Sequence, residues 1–185
     1  MMTRHTFVLA TTNPHKVREI RAMLDGVAVE IVGLDAFPPV AAPDETGTTF
    51  AENARLKARY YSGATGMPAI AEDSGLEVDA LDGAPGIESA RFAGAETSYP
   101  EKFAVLYRML EAGGSRDSAA RFVCALAVAS GNDVLFEARG TVEGRVAPEP
   151  RGTLGEVSDD VKRAVSHRGA AFRQLREWLT AGPLA

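Results

Sequence analysis

Two long strand-forming runs, Arg121 to Ala129 and Val134 to Val142, flank the tetrapeptide Ser130-Gly131-Asn132-Asp133. Such runs around a short Gly-Asn turn predict an antiparallel hairpin. The start of the chain follows another pattern. Thr6 to Ala10 reads as a buried strand, which Thr11-Thr12-Asn13-Pro14 interrupts. Val17, Ile20 and Leu24 then recur at helical spacing, with Pro14 suited to the first helical position. Val27 to Leu34 reads as a second strand. Early strand–helix alternation combined with a later hairpin predicts an α/β fold with a mixed β-sheet and flanking helices. Its expected form is a single domain, residues 1–185, with two lobes around a cleft.

The middle of the chain adds two capping signals. Thr49-Phe50-Ala51-Glu52 predicts a helix through about Tyr61, and Ser98-Tyr99-Pro100-Glu101 one that buries Phe103, Leu106, Tyr107 and Leu110 on one face. Ala69-Ile70-Ala71 reads as a short strand entering Glu72-Asp73-Ser74-Gly75, a turn signature. Residues 82–94 read as a structured loop and 158–165 as a short helix. Ser166 is the expected cap of a last helix burying Phe172, Leu175, Trp178 and Leu179.

Composition removes several classes. A chain of 185 residues with 45% hydrophobic and 24% charged residues can bury a core without staples. A net charge of −5 argues against non-specific binding to nucleic acid, which needs a basic face. The single cysteine, Cys124, lies in an apolar run and reads as a small buried hydrophobe, not a nucleophile. No apolar run reaches the roughly 18 residues of a membrane span. The expectation is a soluble, cytoplasmic protein.

Three segments carry chemistry. Thr11-Thr12-Asn13-Pro14-His15-Lys16 joins a strand to a helix N-terminus, where free N–H groups attract phosphate. Lys16 there opposes the helix dipole, a conflict that a nearby anion resolves. The glycine-rich Gly-Lys-Ser/Thr loop of the common NTPases is absent. Glu72-Asp73 supplies adjacent carboxylates able to hold Mg²⁺ or to activate a water. Asp44-Glu45 is a further acidic pair, while Glu52 has a structural task in its capping box. Ser166-His167-Arg168 places two basic residues at a helix start, where positive charge is disfavoured, so His167 should lean neutral. A neutral imidazole and a planar guanidinium suit a purine, and Lys162 lies just upstream.

The segments LATTNPHKVREI, ETGTTFAENARLKA, AIAEDSGLEVDALDGAPGIESARFAG and KRAVSHRGAAF, in this order between Phe7 and Leu179, resemble the inosine triphosphate pyrophosphatase family. The resemblance implies an elongated mixed sheet, two lobes around a nucleotide cleft, and a homodimer. It implies Mg²⁺-dependent hydrolysis of ITP, dITP and XTP to the monophosphate and pyrophosphate. It makes Asp73 the proton acceptor and, with Glu45, a metal ligand. It makes Thr11, Thr12, Asn13, Pro14, His15, Lys16 and Ser74 substrate contacts, puts Lys57 near the phosphates, and gives Lys162, His167 and Arg168 the base.

One departure is visible. A GFGYDP-like stretch is expected between Gly152 and Thr153 and is missing. Either the chain lacks an aromatic and an acid at the base end, or the sequence omits a segment there, the reading that the abrupt join favours. Two other functions stay in view: a Maf-like pyrophosphatase for modified pyrimidine nucleotides, which the Ser-His-Arg segment argues against, and a non-catalytic nucleotide-binding module.

Overall fold

The structure is a computed structural model and describes residues 5–94, 96–114, 116–149 and 166–182, without the side chain of His15. Its elements in chain order are β1 (His5–Leu9), α1 (Pro14–Met23), β2 (Val29–Gly33), α2 (Phe50–Thr65), β3 (Ala69–Val78), α3 (Tyr99–Ala112), β4 (Ala119–Ser130), β5 (Asp133–Arg145) and α4 (His167–Thr180). One sheet runs β2-β1-β3-β4-β5. β1 pairs parallel with β2 and β3, whereas β4 is antiparallel to both β3 and β5. The mixed α/β sheet is as the sequence implied, and the hairpin is longer at both ends than its periodicity suggested. Its two-residue turn is Gly131-Asn132, between the paired Ser130 and Asp133. Gly131 has φ +57°, which a residue with a side chain would adopt at a cost.

Alternation along the strands divides the sheet into two faces. On one face Ile70, Cys124, Leu126, Val128 and Ala138 pack against Ile20 and Leu24 and against Phe172, Leu175 and Leu179 of α4. Burying a side chain the size of Phe172 or Leu175 contributes about 1.5–3 kcal/mol. Trp178 stacks on Phe136 with ring centroids 4.9 Å apart. On the opposite face Ala71, Val123, Ala125, Ala127 and Ala129 meet Phe50, Ala54 and Ala58 of α2. Small residues on both surfaces let that helix lie close to the sheet.

The three later strands run past the ends of β1 and β2. There Val78 and Ala120 join Leu106 and Leu110 of α3 in a separate, smaller cluster. The sheet thus carries cores at two places, with a step between them where β1 stops.

The capping signals are realised with one change. Ser98 and Glu101 form the complete box. At α2, Thr49 Oγ1 accepts from Glu52 N, but the Glu52 carboxylate accepts from the amide and hydroxyl of Thr48. The helix continues to Thr65, beyond the expected end at Tyr61. The helix expected at 158–165 and the join at Gly152–Thr153 lie outside the described residues.

Candidate active site

β3 pairs with β1 only at Ala69 and Ile70, and the last link is the Ala10 amide to the Ile70 carbonyl, 2.8 Å. Beyond that point β1 gives way to residues 11–13 and α1, while β3 continues to Val78. No described strand pairs with that edge of β3 at residues 72–75. In an open sheet, the carboxyl end of a central parallel strand is where ligands bind.

Thr11 to Lys16 stands at this edge. Thr11 Oγ1 accepts from Asn13 N at 3.2 Å, and Asn13 Oδ1 accepts from Lys16 N at 3.4 Å, so Asn13 caps α1 as well as facing solvent. Thr12, Asn13 and Pro14 are exposed, and Thr11 and Lys16 are half-buried. Lys16 Nζ reaches Glu72 Oε1 at 2.8 Å, which supplies the anion its position demands.

Glu72-Asp73-Ser74-Gly75 is not a turn. It is the centre of β3, and both acids are buried. Gly75, which gave the turn signature, is small because the loop at 86–89 packs on it: a Cβ there would lie 2.6 Å from the Gly86 carbonyl. The period of two sends the adjacent acids to opposite faces. They therefore cannot share one ion as a pair.

On the α2 face, Asp73 Oδ1 lies 3.0 Å from Lys57 Nζ, and Asp73 Oδ2 accepts from Asn53 Nδ2 at 3.3 Å. The same ammonium lies 2.5 Å from Glu45 Oε1, and Glu45 in turn meets Arg91 at 3.4 Å. Burial alone would push the Lys57 ammonium down, but the two carboxylates outweigh it and hold its pKa up.

On the α4 face, Glu72 Oε2 accepts from Arg168 Nε at 2.9 Å and from the Cys124 thiol at 3.1 Å. Arg168 Nη1 also donates to Glu19 of α1 at 2.9 Å. Burial would raise the Glu72 pKa, yet Lys16 and Arg168 hold the carboxyl well below its usual range. Burial and Glu72 push the Cys124 thiol well up, so it stays protonated, as the buried-hydrophobe reading requires. Burial and Arg168 push the His167 imidazole down to about 4, which keeps it neutral. Its ring stacks on Phe122, centroids 5.4 Å apart and planes 21° apart. Ser166 Oγ caps α4 by accepting from Gly169 N at 2.9 Å. The first turn of α4 lies on Gly140 of β5, where a Cβ would sit 2.1 Å from the His167 carbonyl oxygen. Ser74 is half-buried on the same face as Glu72.

The structure thus brings together Lys16, Glu72 and Arg168 on one face and Glu45, Lys57 and Asp73 on the other, at one step in the sheet. Lys162 lies outside the described residues. The sequence reading missed Asn53 and Glu19. Asn53 falls four residues before Lys57, inside the buried stripe of α2, and a polar residue there was the available signal. A cavity of about 920 Å³ lies between the start of α2, the 82–87 loop and the outer strand, and does not include Asp73 or Lys16.

Asp73 and Glu45 offer hard carboxylate oxygens that converge on one ammonium. Among the described residues no three or more His, Cys, Asp or Glu side chains converge as a metal cluster. Two carboxylates completed by substrate phosphates and water suit Mg²⁺. Glu72, on the other face between two cations, does not fit.

Residues 7–155 match the model of the Ham1 family. The chain belongs to the Ham1 family. Similar proteins include a dITP/XTP pyrophosphatase of Exiguobacterium, 43% identical over 91% of this chain and 93% of its own length. Another is the dITP/XTP pyrophosphatase of Symbiobacterium thermophilum, 43% identical over 97% of this chain and 98% of its own. That alignment spans 198 positions, more than the 185 residues of the whole chain, so the relative carries residues with no counterpart here. Among solved structures, the Ham1 protein of Coxiella burnetii is 34% identical with a TM-score of 0.89, covering 96% of this chain and 100% of that one. The Staphylococcus aureus Ham1 protein is 30% identical with a TM-score of 0.84, covering 95% and 98%.

Proposed function

We propose that this Ham1-family chain hydrolyses non-standard purine nucleoside triphosphates (ITP, dITP and XTP) to the monophosphate and pyrophosphate, with Mg²⁺ as cofactor. The observation that carries this is the step where β1 ends: Lys16, at a helix N-terminus, pairs with Glu72 on one face of β3, and the buried carboxylate of Asp73 is held by Lys57 and Asn53 on the other. The relatives named dITP/XTP pyrophosphatase support the substrate class.

The chemistry follows from these groups. Thr11, Thr12 and Asn13, the first N–H groups of α1, and Lys16 bind the triphosphate. Lys57 and Asn53 fix the two oxygens of Asp73 and so orient that carboxylate. Asp73 accepts a proton from a water that attacks the α-phosphorus. The new bond forms from water oxygen to α-phosphorus, and the bond from α-phosphorus to the bridging oxygen breaks, releasing pyrophosphate. Asp73 and Glu45 would hold Mg²⁺, which would supply charge neutralisation at the phosphates. Ser74 contacts the substrate, and Lys162, neutral His167 and Arg168 meet the base. A site built around the 6-oxo edge of hypoxanthine or xanthine leaves polar groups mismatched with adenine. Among the described residues no helix is long and apolar enough to cross a membrane. We assign the protein to the cytoplasm, as a homodimer that does not engage nucleic acid or a membrane.

Pyrophosphate release from ITP, dITP, XTP, ATP and modified pyrimidine triphosphates, each with Mg²⁺ and with excess chelator, tests the proposal. The expected result is turnover of the first three, little of ATP, and none with chelator. A preference for modified pyrimidines, or activity indifferent to chelator, overturns it.

A further inference from the structure

Glu72 has no direct part in that chemistry, yet it is the most heavily partnered acid of the site. It is 7% exposed, inside the sheet, and its two oxygens take different cations: Oε1 meets Lys16 Nζ at 2.8 Å and Oε2 meets Arg168 Nε at 2.9 Å. Lys16 belongs to the first turn of α1 and Arg168 to the first turn of α4, elements far apart in sequence. An ammonium has three N–H donors and a guanidinium five. Each cation can therefore bind Glu72 and still offer donors to a ligand. Lys16 retains about a third of its side-chain exposure.

We propose that Glu72 is a positioning residue, a shared counter-ion that sets Lys16 and Arg168 relative to one another and so couples the grip on the phosphates to the grip on the base. The inference rests on the pyrophosphatase reading for the roles of those two cations. Its physical content is a competition. With Arg168 present, the Glu72 charge is divided between two cations, and Lys16 is free to share its donors with phosphate. Without Arg168, the buried carboxylate has Lys16 as its remaining cationic partner and draws that ammonium towards itself. Loss of Arg168 then weakens the phosphate end as well as the base end. If Lys16 is already gone, loss of Arg168 removes only its own contact.

A double-mutant cycle reads this directly. The dissociation constant of the α,β-methylene analogue of ITP, which cannot release pyrophosphate, is measured by calorimetry for the wild type, Lys16→Met, Arg168→Met and the double variant. The expected result is a double variant whose affinity loss is at least about fivefold smaller than the product of the single losses. In the Glu72→Gln background the losses should multiply to within about twofold, because the neutral amide no longer competes for the ammonium. Losses that multiply in the wild-type background overturn the proposal. So does the same non-additivity in the Glu72→Gln background, which would make the coupling independent of Glu72. If the Glu72→Gln protein does not fold, the first cycle decides alone. ITP turnover by the wild type, assayed in parallel, separates the two readings. Absent turnover with a non-additive cycle sinks the pyrophosphatase reading and keeps the coupling, whereas absent binding of the analogue by the wild type overturns both.

Discussion

At the scale of single residues, the sequence carried the types of the site groups but not their partners. Lys16 was legible as a cation in need of an anion, because its place in a first helical turn is unfavourable. That the anion is Glu72 was not legible, since Asp73-Ser74-Gly75 imitates a turn and hides a buried strand. His167 was legible as neutral, although burial and then Arg168 account for this more than the helix end does. This residue gives a pH prediction. In the unfolded chain an imidazole titrates near 6.5. In the folded chain it titrates at about 4. Between those values the unfolded chain binds the extra proton, so stability falls as pH falls through that window. The melting temperature should drop between about pH 7 and about pH 5, and drop less in His167→Asn, which has no proton to take up there. An equal drop in both proteins would mean that the folded state protonates His167 as readily as the unfolded one.

At the scale of elements, the hairpin, the first helix and both caps were readable because each depends on local chemistry. The continuation of β3 past Ala71 was not, because its identity comes from pairing with β4 and from a glycine that serves a packed loop. The seat of α4 was equally hidden. It depends on Gly140, a residue unremarkable in a strand sequence, against which the His167 carbonyl and the Ala171 amide close in. Gly140→Ala should destabilise the protein by about 1–3 kcal/mol, as overpacking against backbone does. It should also raise KM for ITP by moving the turn that carries His167 and Arg168. Gly144→Ala, whose added Cβ would have its nearest neighbour at 3.9 Å, is the control and should stay within about 0.5 kcal/mol of wild type. Urea denaturation of both variants checks the pair, and equal midpoints would show that α4 can shift off β5 without cost.

At the scale of the whole molecule, a chain of net charge −5 binds a polyanion by gathering a few cations at one place. In the proposed reading that place is the step in the sheet where β1 ends and β3 continues. Alternation along β3 divides the work between its faces, with Asp73, Lys57 and Glu45 on one and Glu72, Lys16 and Arg168 on the other. This division could not be read from a dipeptide of two acids, but it follows once the segment is known to be a strand. In the proposed mechanism Asp73, fixed by Lys57 and Asn53, takes the proton of a water attacking the α-phosphorus. The most direct measurement is ITP hydrolysis in heavy-oxygen water, with isotope analysis of both products, for wild type and Asp73→Asn. The expected result is one labelled oxygen in the monophosphate, none in pyrophosphate, and a fall in turnover of about 10²- to 10⁴-fold in the variant. Label in the pyrophosphate, or an Asp73→Asn protein that turns over at the wild-type rate, would contradict it.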